Sequence, residues 1–363
     1  MSDINFEEII NVSNLETKFL KSYSDEEVLF LYGAGNSAFQ AVQYLRKINI
    51  EPKGIIDSDK KKWGKLKFGL SILSLSEALQ KYPKMQIFIS APSYEDEIRL
   101  NLKQYVEEDK IFSIEYERLT YCTTKDYKDY VCKHENEISE IYYIMADEKS
   151  KITLKCVLKS WLSADSSYLK EIYEPNQYFT NTVIHLNENE VFVDCGAYNG
   201  DTFREFESKV NGKYKGYYGF EPQKECFDQL VKVCHSDKNK NFTLNLGVYD
   251  RKTQLKFDVQ DDFSASNVTD DGTQIIDVTA LDNEILGNVT FIKMDIEGSE
   301  LPALRGAEKT IRKNKPKLAI CVYHKKEDIV EIPKYIMSLG MDYKLYIRHH
   351  QKCSGTETVL YAI

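Results

Sequence analysis

The stretch VFVDCGAYNGDTF, Val191 to Phe203, decides how this chain folds. A hydrophobic run enters an aspartate, then a glycine-rich turn opens onto an amphipathic segment. That is a buried strand, a tight turn and a helix, the opening unit of an α/β sheet. Gly196 and Gly200 let the backbone turn sharply where a ligand would approach it. Ligands of open α/β sheets bind beyond the C-terminal ends of the strands, so the turn marks one wall of a crevice.

Working outward, six further strands are expected after VFVDC: 216–221, 242–249, 289–294, 317–323, 343–349 and 356–363. Only the turn HQKCSGTE separates the last two, so they should pair as an antiparallel hairpin in an otherwise parallel sheet. TQLKFDV and QIIDVTAL lie between the strands at 242–249 and 289–294 and read as an insertion. Toward the N-terminus, EVLFLYGAGNSAFQAVQYLRKI repeats the strand–turn–helix pattern, with further strands at PKGIIDSD and KMQIFISAP. Residues 121–180 have no glycine and are rich in Tyr, Lys, Glu and Ile. The expectation is α/β throughout: a small Rossmann-like domain at 1–120, a helical linker at 121–180 and a second Rossmann-like domain at 181–363.

Composition excludes several classes. The chain of 363 residues is 42% hydrophobic, with 25 Tyr and 17 Phe to fill cores, so it is globular. A formal charge of −9 argues against a nucleic-acid partner. No apolar run reaches membrane-spanning length, and the acidic start lacks a signal peptide's basic region, which points to the cytoplasm. The eight cysteines form no CxxC pair, so neither disulfides nor zinc are expected.

Two more segments carry chemistry. GFEP puts Glu221 at the end of the second strand, where an acid can accept bonds from both hydroxyls of a ribose. FIKMDIEGSELPALRGAE, Phe291 to Glu308, ends a strand at Asp295 and continues into a helix that Ser299 can cap. The G-x-x-x-G spacing differs from the G-x-G-x-x-G of pyrophosphate binders. It suits S-adenosylmethionine, whose amino group Asp194 could hold while amides near Gly196–Gly200 face its carboxylate.

Taken in order, VFVDCGAYNGDTF, GFEP, LNLGVYD, DVTALD and FIKMDIEGSELPALRGA resemble the FkbM family of S-adenosylmethionine-dependent methyltransferases over roughly residues 178–363. The resemblance implies a seven-stranded methyltransferase sheet. It implies cofactor contacts at Asp194, Gly196, Ala197, Gly200 and Glu221, and places Asp295 near the transferring methyl. Tyr198, Thr202, Pro222 and Gly247 complete the candidate cofactor set. Cys195 departs from the small residue, often valine, common at that position. The tail LAICVYHKKED…YKLYIRHH…ETVLYA is similar to a subgroup found among glycan biosynthesis proteins, so a sugar or glycan acceptor is expected.

Methyl transfer to a hydroxyl needs alignment and a group to take the proton. Asp295, Glu297 and His324 are the candidates. The two carboxylates could instead orient the acceptor or bind a divalent ion through their oxygens, although no metal is expected. Tyr178, Tyr323, Arg348 and His349 are candidate acceptor contacts, and Ser264 and Ser266 lie in a loop that could cover the cofactor. YGAGNSA fits G-x-G-x-x-A, which makes Gly33, Gly35, Asn36, Ser37 and Asp57 a candidate second nucleotide site, for a sugar nucleotide before NAD. A homo-oligomer is compatible with all of this. Two rival readings remain: a noncatalytic nucleotide-sensing scaffold, and a nicotinamide-dependent sugar-nucleotide enzyme.

Overall fold

The computed structural model describes residues 4–234, 240–258, 267–268 and 274–363. Ser264 and Ser266 lie outside the described residues. The chain divides into two compact units. One comprises residues 1–136, 152–173 and 351–356; the other comprises 137–151, 174–350 and 357–363. The helical stretch expected as a linker is thus shared out between the units, its longest helix, Glu148–Ser163, crossing from one to the other.

The first unit is built on a six-stranded sheet: β1 (Val28–Tyr32), β2 (Gly54–Ile56), β3 (Leu66–Lys67), β4 (Leu70–Leu73), β5 (Met85–Ile89) and β6 (Ile111–Phe112). The order is β3-β4-β2-β1-β5-β6, parallel apart from the β3–β4 pair. β3, β4 and β6 escape a reading from periodicity because they hold two to four residues each. β1 and β5 are almost wholly buried, as expected for central parallel strands. Gln86 in β5 is satisfied because its amide exchanges bonds with both backbone groups of Ser24.

In the second unit, β7 (Val191–Cys195), β8 (Gly216–Phe220) and β9 (Asn241–Leu244) form one flank of a seven-stranded sheet. A separate sheet follows, made of β10 (Gly247–Val248), β11 (Thr253–Asp258), β12 (Asn267–Val268) and β13 (Gln274–Thr279). It contains the two strands expected as an insertion. The main sheet resumes with β14 (Phe291–Met294), β15 (Lys317–Cys321), β16 (Leu345–His349) and β17 (Thr358–Ala362). Its order is β16-β17-β15-β14-β7-β8-β9, with β17 antiparallel to both neighbours. The late hairpin therefore closes one flank, and β7 and β14 lie side by side at the centre. No described helix is long and apolar enough to cross a membrane.

Aromatic packing sets the sheet against its helices. Phe192 of β7 stacks on Phe291 of β14 at 4.9 Å and meets Phe206 of the following helix at the same distance. Phe179 packs edge-on to both strand residues. Phe192→Ala should therefore cost about 3–5 kcal/mol, through lost burial and the cavity left behind. Urea denaturation of the variant beside the parent chain checks this.

Candidate active site

The register of β7 against β14 places Asp194 directly opposite Lys293, so the two side chains share one face of the sheet. Both are buried, and Lys293 Nζ lies 3.1 Å from Asp194 Oδ1. The Tyr217 hydroxyl donates to Asp194 Oδ2 at 3.0 Å, and Lys293 Nζ donates to the Gly196 carbonyl at 2.7 Å. Burial works to discharge Lys293, but Asp194 and then Asp295 outweigh it and hold the lysine above its ordinary value. Burial raises Asp194, with Lys293 opposing. Asp194 is therefore turned inward: its carboxylate is occupied by Lys293 and Tyr217 rather than presented to a ligand's amino group. A lysine inside an apolar strand was the signal for this pair in the sequence.

The glycine turn is constrained as tightly. Gly196 has φ +79°, and a Cβ there would collide with the carbonyl oxygen of Asp295. The Gly196 and Ala197 amides both donate to the Phe220 carbonyl at 3.0 Å, and the Gly200 amide donates to Ala197 at 2.9 Å. The Tyr198 amide donates to Glu221 Oε2 at 2.9 Å. These four amides hold the loop together, so they are not the carboxylate-facing donors expected from the turn alone. Gly200, at φ +83°, starts the helix Asp201–Lys209, and Thr202 lies in its first turn.

Glu221 ends β8 and ties the two loops together. Its Oε2 accepts from Tyr198, and its Oε1 accepts the Gln223 amide at 2.8 Å. Each oxygen retains a second lone pair. Burial pushes this carboxyl up to about 7, against the pull of the two amides. Asn245 bridges the carbonyls of Glu221 and Pro222, and a Cβ on Gly247 would press on the Val278 side chain.

Beside this loop, β14 delivers Asp295. The Tyr178 hydroxyl donates to Asp295 Oδ2 at 2.6 Å, and the Tyr323 hydroxyl donates to Oδ1 at 3.1 Å. The Asp295 side chain remains 23% exposed, so it is open to a ligand. Burial pushes Asp295 upward, but Lys293 and His324 hold it below its ordinary value. His324 Nε2 lies 3.4 Å from both Asp295 Oδ1 and Glu297 Oε2, while its Nδ1 lies 3.0 Å from Glu300 Oε1. Burial would discharge the imidazole, yet Glu300 and Glu297 raise it well above its ordinary value. Burial also pushes Glu297 up to about 8, with His324 opposing. Glu297 has φ +55°, a left-handed conformation enforced in the turn before Gly298.

Three more residues stand near Asp295: Gln177 and Glu357, which escape a sequence reading, and His350, which the sequence groups with Arg348 and His349 as a candidate wall of the acceptor pocket. Glu357, pushed up to about 7 by burial and by Asp295, accepts from Gln177. His350 supports Tyr178 at one remove: its Nε2 lies 2.8 Å from the Tyr361 hydroxyl, which accepts the Tyr178 amide at 3.0 Å. Burial pushes His350 down to about 4, leaving it neutral and able to accept from Tyr361. All three come from segments distant in sequence.

Arg348 and His349 lie apart from this cluster, contrary to expectation. Arg348 is buried and spends its guanidinium on Asp147, Ser150 and Glu174. His349 is buried within β16, with Nδ1 2.9 Å from Thr358 Oγ1. In the first unit, Asp57 is likewise turned inward. It accepts from the amides of Ala34 and Asp59 and pairs with Lys62 at 2.9 Å. Lys67 caps the carbonyls of Ala34 and Gly35. The Asp57 carboxylate thus closes its own loop, while Gly35 and Asn36 are exposed and Ser37 caps nothing with its side chain.

Residues 194–345 match the family described as methyltransferase FkbM domain, and residues 25–112 match the family described as C2185-like, N-terminal. No curated protein matches the chain. Among solved structures, the methyltransferase FkbM from Methylobacillus flagellatus KT superposes with a TM-score of 0.76 at 23% identity, over 97% of this chain and 94% of that one. That likeness shows a shared fold. Fibrillarin from Aeropyrum pernix, solved with S-adenosyl-L-methionine, has a TM-score of 0.33 at 14% identity, over 55% of this chain and 73% of that one. UDP-D-quinovosamine 4-dehydrogenase from Vibrio fischeri has 0.21 at 23% identity, over 24% and 77%. Likenesses at the level of the last two carry no argument about function.

The inward pair is the part of this site most open to direct test. Lys293→Met leaves Asp194 buried without its counter-charge and should destabilise the chain by about 3–5 kcal/mol. Replacing both partners, Asp194→Leu with Lys293→Met, should recover part of that loss. Thermal melts of the single and double variants decide the matter.

Proposed function

We propose that this chain, whose residues 194–345 match the methyltransferase FkbM domain, is an S-adenosylmethionine-dependent O-methyltransferase acting on a sugar hydroxyl. The observation that carries this reading is the Asp295 carboxylate. It is kept ionised by Lys293 and His324, oriented by two tyrosine hydroxyls and partly open beside the glycine loop.

The residues present fit the cofactor. Glu221 has acceptor capacity left on both oxygens, which suits the two hydroxyls of a ribose. The carboxylates of Asp295, Glu297 and Glu357 suit a sulfonium cation. When bound, S-adenosylmethionine supplies an electrophilic methyl group. The chain's own residues do the rest. Asp295 accepts the hydrogen bond of the acceptor hydroxyl and aims its lone pair, with Tyr178 and Tyr323 fixing the carboxylate. Glu297, the more basic of the two loop carboxylates, takes the proton as the carbon–oxygen bond forms, a role it fills in its ionised form, dominant above about pH 8. His324 keeps positive charge between them, so that Asp295 stays ionised when the proton arrives.

A neutral polyhydroxy acceptor agrees with this charge pattern. The cluster holds several carboxylates, and its nearby lysine, Lys293, is committed to Asp194 and the Gly196 carbonyl. A phosphate placed directly against it would be repelled. The similarity of the chain's tail to a glycan-associated subgroup points to the same class of acceptor.

Calorimetric titration with S-adenosylmethionine tests the cofactor half. One molecule should bind per chain, with at least about tenfold weaker affinity in Glu221→Ala. Because the Glu221 carboxyl stands near 7 rather than at its ordinary value, protonation removes acceptor capacity as pH falls. Affinity should drop by up to about tenfold per unit below pH 7 in the parent chain, and stay flat in Glu221→Gln. No binding at any pH would sink the reading.

Formation of S-adenosylhomocysteine with a panel of free and nucleotide-linked sugars tests the acceptor half. With a sugar that is turned over, Asp295→Asn should lower kcat, read at saturating cofactor, by about 100-fold or more. Turnover with amines or thiols alone would overturn the assignment to oxygen.

A further inference from the structure

Asp295, Glu300 and His324 each offer a ligand atom, and these atoms lie within 4.8 Å of one another. Donors held about 2.1–2.4 Å from one cation can be no more than about 4.8 Å apart, so all three can reach a single ion. Two oxygens and one imidazole nitrogen suit a divalent cation of the Mn²⁺ or Mg²⁺ kind better than a thiolate-seeking one.

A second observation points the same way. Glu300 is fully buried, and its Oε2 has no hydrogen-bond partner, while its Oε1 is occupied by the Ile296 amide at 2.8 Å. The His324 side chain is only 9% exposed, and neither ring nitrogen makes a hydrogen bond of good geometry despite three carboxylates around the ring. The unpartnered Glu300 oxygen carries a desolvation cost of about 1–3 kcal/mol. The nearby lysines do not relieve it: Lys293 is given to Asp194 and the Gly196 carbonyl, and Lys325 donates to the Gly298 carbonyl. Asp328 and Glu357 add further acidic groups around the same ring.

We propose that Asp295, Glu300 and His324 form a binding site for one divalent cation, at the place where the acceptor hydroxyl docks. This rests on the methyltransferase reading only for its purpose. On binding, the ion would displace the His324 proton to solvent and take over its positive charge beside the acceptor oxygen, easing loss of the hydroxyl proton to Glu297, which remains outside the ligand set.

The test uses the purified full chain, stripped with chelator and titrated with Mn²⁺ alone, with free Mn²⁺ read by electron paramagnetic resonance. One ion should bind per chain, at least about tenfold more weakly in Glu300→Gln and in Asp295→Asn. Glu300→Gln keeps an acceptor for the Ile296 amide. If its circular dichroism nevertheless shows misfolding, the partly exposed Asp295→Asn decides. Absence of bound Mn²⁺, or equal binding in both variants, overturns the proposal. S-adenosylmethionine titrated into the same samples separates the two ideas: cofactor binding without Mn²⁺ binding removes the metal site alone. Mn²⁺ binding without cofactor binding upholds the metal site and removes the methyltransferase reading.

Discussion

The buried pair of Asp194 and Lys293 is the constraint on which the site depends. It sits where the two central strands of the seven-stranded sheet run side by side, and a one-residue slip between them would separate the charges. The same lysine holds the Gly196 carbonyl, and Asp295 follows two residues later on the same chain. Strand register, glycine turn and the Asp295 carboxylate beside it are therefore tied to one ammonium group. A pair of charges in such surroundings adds little net stability, since desolvation offsets the attraction. Its contribution here is geometric.

The acidic groups of the chain divide by what their oxygens already hold. Asp194, in the first strand of its sheet, and Asp57, just past the second strand of the other, are both turned inward onto a lysine and local donors. Glu221 is bound by amides on both oxygens but keeps acceptor capacity. Asp295 is held by two hydroxyls and remains partly open. Around His324 the carboxylates outnumber the cations that could pair with them, and there the imidazole is driven to keep its proton. An excess of buried negative charge is costly for a fold. It is useful where a sulfonium, a hydroxyl proton or a metal ion must be accommodated.

Much of this was legible from residue order. VFVDCGAYNGDTF and FIKMDIEGSE each announce a strand, a turn and a helix, because apolar runs and glycines act locally. The seven main strands and the closing hairpin follow from periodicity and from the short HQKCSGTE turn. Asp295, Glu297 and His324 could be named because each falls at or just beyond a strand's C-terminal end, where open sheets bind ligands. The short strands β3, β4 and β6 were not legible, since two to four residues carry no period.

What the sequence by itself determined is the α/β class, the order of the strands and the set of residue types at their ends, all of them consequences of local pattern. The tertiary structure decided which of those residues face a ligand. Asp194 and Asp295 look alike as strand-terminal aspartates, yet one is occupied by a lysine that its neighbour strand brings across, and the other is not. Arg348 and His349, placed like acceptor contacts, are buried in β16 at the sheet's edge, separated from β14 by two strands. Gln177, His350 and Glu357 join the site from far along the chain. Orientation and long-range proximity depend on register and packing, and those are properties of the folded sheet rather than of any short stretch of residues.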